Sequence, residues 1–170
     1  MNRPERTADP LFTPQGTIRP DILTPALSVV FKESLSFARQ THWESLRTPH
    51  LFMAMLCHPE ESVRAWVEDA ELDSEFIVAQ FRRLFTNHDQ PEPEVVCFQR
   101  EFMSLNVIRL LRSALERCHD CGRSRMTVMD ILMPILASPG SVVAECFDTR
   151  GIASHDLLEI AVRSEARVRV

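Results

Sequence analysis

The stretch TPHLFMAMLCHP, residues 48–59, admits two readings. Imidazole and thiolate are good zinc ligands, and a Cys/His pair can supply a nucleophile and its base, so His50, Cys57 and His58 are candidate site residues. Against this stands the apolar run between them, which suits a helix buried on most of its surface. A second stretch, VMDILMPILASP at residues 128–139, decides the matter, because it matches the first at an offset of 80 residues without a gap. Met53 falls on Met133, Leu56 on Leu136 and Pro59 on Pro139, while Leu51, Phe52 and Met55 fall on Ile131, Leu132 and Ile135. His50, Cys57 and His58 fall on Asp130, Ala137 and Ser138. What the two stretches share is a core face, so the run is read as a structural helix with no metal-binding or catalytic role. His58 is placed at its C-terminus, where a cation is mildly favoured.

Working outward, the same offset pairs Leu35 with Leu115, Val63 with Val143 and Ser74 with Ser154, and keeps residue class at Phe31/Leu111, Lys32/Arg112, Leu72/Ile152, Ile77/Leu157 and Val78/Leu158. The chain is an internal duplication. Its first helix is signalled by TPALSVVFKESLSFAR, with Thr24 as N-cap, Pro25 at the first helical position and Leu27, Val30, Phe31, Ser34, Leu35 and Ala38 on one face. Thr48 and Pro49 repeat the device for the second helix. ESVRAWVEDA and DSEFIVAQFRRLF, the latter capped by Asp73 or Ser74, give a third and a fourth. TNHDQPEPE reads as a linker, after which the helical pattern restarts at Ser104 and yields four more segments. The expected fold is all-α, a pseudo-twofold duplication of two four-helix repeats. Repeat one spans 22–85, a linker 86–98, repeat two 99–165 and a tail 166–170. Residues 1–21, with four prolines among polar residues, are expected to form a flexible arm. Pro134 interrupts the sixth helix where repeat one has Ala54, so the halves are expected to be similar but not superimposable.

Composition excludes several classes. The formal net charge is −5, and phosphate binding needs clustered Lys and Arg, so no nucleic-acid partner is expected. No window approaches the roughly 20 apolar residues that cross a bilayer, so no membrane partner is expected either. Five cysteines in an irregular pattern, with no secretory leader, point to a reduced, cytoplasmic protein that works as a monomer. Only four glycines and no phosphate loop leave no ATPase module and no cofactor. Cys118 and Cys121, in CHDC, have redox or zinc-knuckle spacing but no second ligand pair, which leaves a small thiol or metal sensor as a distant alternative. Trp66 aligns with Cys146 and is assigned to the core. Trp43, in the loop THWESL, either folds back on its own helix or offers a contact to a partner.

Residues 22–165 resemble the double Clp N-terminal domain found ahead of the ATPase modules of ClpA, ClpB and ClpC unfoldases. The resemblance rests on the Leu23-Thr24 step before the first helix, the spacing of Leu27, Phe31, Leu35 and Ala38, and LRTPHLFMAML from Leu46. It departs from the family at Pro49 and Met129, where members carry a glutamate, and at Arg123, in a loop where some members place an acid. The resemblance implies a non-enzymatic module that captures protein or peptide segments for a Clp-type unfoldase or protease, in a groove near the first helix. Thr24, Leu27, Ser28 and Phe31, with Trp43 and Arg123 in the loops, are its expected partner-binding residues. An N-domain or accessory of a type VI secretion sheath-recycling unfoldase is the alternative, and the opening Met without an ATPase motif favours a free-standing chain.

Overall fold

Helix starts follow the side-chain oxygens in the sequence. Thr24, Asp73, Ser104 and Ser141 each accept the backbone N–H three residues on, at 3.3, 3.1, 3.3 and 3.5 Å, satisfying a donor that the first turn leaves free. In this computed structural model, which describes residues 8–138 and 140–169, the helices are α1 Pro25–Gln40, α2 Thr48–Cys57, α3 Glu61–Asp69, α4 Ser74–Phe85, α5 Leu105–Asp120, α6 Val128–Ala137, α7 Val142–Thr149 and α8 Ser154–Val168. Short 3-10 turns at Pro20–Ile22 and Arg100–Phe102 precede α1 and α5. No strand occurs among the described residues, only isolated bridges.

The 80-residue offset is visible in three dimensions. α1 and α5, α2 and α6, and the two 3-10 turns have bounds that differ by 80 at both ends. The halves also trade equivalent backbone contacts. Met126 N–H donates to Ile22 C=O at 2.7 Å and Leu46 N–H to Phe102 C=O at 2.7 Å; Thr24 N–H returns to Met126 C=O at 3.1 Å and Ser104 N–H to Leu46 C=O at 3.0 Å. Each pair maps onto the other when 80 is added to one partner and subtracted from the other, as in a two-fold-related dimer. α2 and α6 are buried on nearly every face and form the centre, with the amphipathic α1, α4, α5 and α8 packed around them. Trp66 of α3 is wholly buried and donates its indole N–H to Leu157 C=O of α8 at 3.0 Å, joining the halves. Its counterpart Cys146 makes no such bridge. α6 continues through Pro134 to Ala137.

Two expectations need correction. The described part of the N-terminal arm is packed, not loose: Leu11, Phe12 and Ile18 are buried, and Asp9 accepts the N–H groups of Leu11 and Phe12. Gly16, at φ +84°, turns the segment back so that Thr17 pairs with Gln99 at the start of repeat two. Apolar side chains held by distant partners anchor this segment without any helix. Residues 1–7 of the expected arm lie outside the described residues, as do Pro139 and Val170. The second correction concerns the start of α2, which the Thr48 hydroxyl does not cap. His50 does so from within the first turn, its Nδ1 accepting the Arg47 N–H at 2.9 Å. Asp130 has the same task in α6, accepting the Thr127 N–H at 2.8 Å.

Candidate peptide-binding cleft

The polar residues of the opening stretch are structural. With Nδ1 accepting, His50 presents Nε2–H to the Thr41 hydroxyl at 3.0 Å, which in turn donates to Phe37 C=O at 2.7 Å. Burial, with the nearby Arg47 charge, pushes the imidazole down to about 3, so it is neutral at physiological pH. Cys57 is exposed, and His58 Nε2 lies 3.5 Å from a Glu33 carboxylate oxygen.

In repeat two the equivalent places hold an ion-pair cluster. Asp130, fully buried, receives Arg123 at 2.5 and 2.6 Å and also Arg117, which reaches Glu165 at 2.5 Å. Burial alone raises the Asp130 carboxyl, but Arg123, the Thr127 N–H and Arg117 outweigh it and hold the group below the usual carboxylate range. Subtracting 80 from Arg117, Arg123, Asp130 and Glu165 gives Phe37, Trp43, His50 and Phe85. One half is therefore pinned by charge and the other by rings.

A cleft of about 420 Å³ lies on the ring side, between the two halves. Trp43, Phe85, Leu110, Pro134, Ile135 and Val142 give it an apolar wall, between the start of α5, the start of α2 and the end of α6. Trp43 is half-buried, donates its indole N–H to Phe85 C=O at 2.5 Å and carries the Arg47 guanidinium 4.0 Å over its ring. Arg47 and Arg109 are the charged members of the lining, and no carboxylate is among them. The mirror-image groove, beside α1, is closed by the chain itself. Glu33 and His58 face each other across it where the cleft has Ser113 and Ser138, and a partly buried Glu60 sits where the cleft has Gly140. Burial raises the Glu60 carboxyl, opposed by the N–H groups of Met129 and Val128 at the start of α6.

Of the expected partner-binding residues, Trp43 alone lines the cleft. Leu27 and Phe31 are core, Phe31 stacking on Phe98 of the linker at 4.4 Å between centroids. Thr24 is the α1 N-cap, and Ser28 stands half-buried on α1. Arg123 is committed to Asp130. The open groove thus lies along α5 rather than α1. Ser113, Ser138 and Gly140 were not singled out in the sequence, although their larger counterparts Glu33, His58 and Glu60 are visible at the same offset.

Cys118 is buried, with a thiol donating to Arg123 C=O at 3.3 Å, and burial pushes it up, away from thiolate. Among the described residues no group of three His, Cys, Asp or Glu is arranged to hold a metal ion. No single helix among them is long and apolar enough to cross a membrane.

No protein-family profile matches the chain, and no curated protein matches it in sequence. Solved structures match its fold, an all-α duplicated bundle. The Hsp104 N-terminal domain from Candida albicans is 17% identical, with a TM-score of 0.66 over 82% of this chain and 89% of that one. The N-terminal domain of the caseinolytic protease associated chaperone ClpD from Arabidopsis thaliana is 12% identical, with 0.62 over 91% and 99%. The N-domain of ClpV from Vibrio cholerae is 13% identical, with 0.61 over 83% and 86%. The chain has the Clp N-domain fold.

Proposed function

We propose that this chain is a non-catalytic recognition module that holds an apolar peptide or helix segment in the α5-side cleft and serves a Clp-type unfoldase or Clp protease. The carrying observation is the cleft: an apolar wall at the junction of the halves that the chain fills on the α1 side and leaves unfilled on the α5 side. An aromatic-lined groove with a few polar groups is suited to a helix or extended segment, whose side chains enter while its backbone stays at the rim. The likeness to N-domains of Hsp104, ClpD and ClpV supports the choice of a Clp-type motor as the machine served. The module is proposed to act as a monomer in the cytoplasm, where its free cysteines stay reduced, and its net charge of −5 argues against nucleic acid as the partner.

The test is capture from the native extract with the full chain as bait, repeated with two substitutions of equal bulk. Ser113→Phe fills the cleft from an exposed position on α5; Ser28→Phe adds the same bulk on α1, away from the cleft lining. The expected result is recovery of an unfoldase, a protease subunit, a secretion component or an unfolded client, lost with Ser113→Phe and retained with Ser28→Phe. Recovery of none of these, or retention with both variants at unchanged helical content, refutes the proposal. The class of the captured protein separates proteolysis, disaggregation and secretion.

A further inference from the structure

Resting on that reading, we propose that the cleft selects an apolar segment carrying carboxylates, so that its natural ligand is an acidic amphipathic helix or strand rather than a neutral or basic one. Two independent observations lead there.

The first is the charge of the rim. The chain is acidic overall, yet the cleft is lined by Arg47 and Arg109 with no Asp or Glu. Both arginines are exposed, and among the described residues neither is within ion-pair distance of a carboxylate. Arg47 is stacked on Trp43, so its guanidinium is held at the mouth instead of swinging in solvent. A positive rim over an apolar floor is complementary to an incoming segment that alternates apolar and acidic faces.

The second is what the protein does with the mirror-image groove. There the chain supplies its own occupants, and both carboxylates, Glu60 and Glu33, come from the groove's own walls. At the same positions in the cleft stand Gly140 and Ser113, which supply neither bulk nor charge. The Glu60 carboxylate is drawn to the N–H groups of Val128 and Met129, whose counterparts are Thr48 and Pro49. Pro49 has no N–H, so one of those two donors is gone from the cleft, while Arg47 and Arg109 stand on its rim. In the open half, an acid brought by the partner takes the place that the closed half fills from within.

The probes are three fluorescein-labelled fifteen-residue amphipathic peptides sharing one Leu/Phe face and carrying Glu, Gln or Lys on the other, titrated into the full chain and followed by anisotropy. Two rim ion pairs near the middle of the usual range for exposed pairs give a preference of about tenfold for the Glu peptide over the Gln peptide at low salt. The preference should shrink severalfold in 300 mM NaCl, where the Debye length is roughly halved relative to low-salt buffer. Arg109→Glu, an exposed change that leaves the fold intact, should abolish the preference, and Arg47→Glu with Arg109→Glu should reverse it toward Lys. Equal binding of all three peptides, sensitive to Ser113→Phe but not to the arginine variants, overturns the acidic selection and leaves the recognition reading standing. Failure of every peptide to bind, or binding untouched by Ser113→Phe, overturns both.

Discussion

Mild acid should destabilise this protein, and His50 should be the residue responsible for a defined part of the loss. In the folded chain His50 is neutral, buried between Arg47 N–H and the Thr41 hydroxyl, with its pKa pushed down to about 3; the ordinary value is 6.5. Unfolding therefore takes up a proton at any pH between these two values, and stability falls as pH falls through that window. Integrating the linkage relation from pH 7 to pH 5 gives a loss of about 2 kcal/mol from this one residue. For a chain of this size that is a drop in melting temperature of about 4–8 °C. The perturbation is His50→Asn, which keeps an acceptor for the Arg47 N–H but does not titrate. Melting of both proteins is followed by circular dichroism in steps from pH 7.5 to pH 4.5. The variant starts lower, because it loses packing and the Thr41 contact, but the gap between the two curves should close by about 2 kcal/mol by pH 5. Glu60, whose carboxyl burial raises, titrates in the opposite sense and is common to both proteins, so the difference between them isolates His50. Parallel curves would show that His50 is protonated in the folded state and would refute this account of the α2 start.

Asp130→Ala leaves Arg117 and Arg123 facing each other without their shared buried carboxylate and should cost about 3–5 kcal/mol in urea titration. Because the Asp130 carboxyl is held below its ordinary value, its stabilisation is present at neutral pH and should fade only as pH drops below about 4, after most of the loss due to His50 has occurred. Trp66→Phe keeps most of the ring but removes the indole bond to the Leu157 carbonyl and opens a void at the α3–α8 contact; a loss of about 1–3 kcal/mol with an unchanged secondary-structure spectrum is expected. Cys57→Ala, at an exposed position, should be within about 0.5 kcal/mol of the parent with unaltered metal content by atomic absorption, and stoichiometric zinc lost in that variant would overturn the structural reading of residues 48–59.

The duplication and the helices were legible because both leave one-dimensional traces. Apolar spacing recurs at 80 residues, and Thr24, Asp73 and Ser104 announce their helices locally. The arm was not legible because it has no helical or strand period: short-range contacts such as Asp9 with Leu11 and Phe12 shape it, and residues far along the chain fix it in place, among them Gln99, which pairs with Thr17, and Arg100, whose N–H donates to the Gly16 carbonyl at 2.8 Å. Arg117 and Glu165 stand 48 positions apart, beyond any helical period, so their pairing had no signature. The α5-side cleft was not legible for a different reason. Matching positions between the repeats reveal what the core needs, but the cleft is written in the mismatches: Glu33 against Ser113, His58 against Ser138 and Glu60 against Gly140. Large charged residues on one side and small ones on the other mark which groove stays open, once the pairs are known to face a groove at all.

The backbone exchange of Met126 with Ile22 and Thr24, and of Leu46 with Phe102 and Ser104, has a bearing on stoichiometry. Two separate copies of one repeat, joined by those same contacts, would have identical grooves and would take two ligands or none. Covalent fusion frees the copies to diverge, and here one groove has become internal masonry while its twin remains vacant. The resulting protein should hold one partner per chain, on one side of its pseudo-axis. A motor with several such chains around it would then receive each client from a fixed direction.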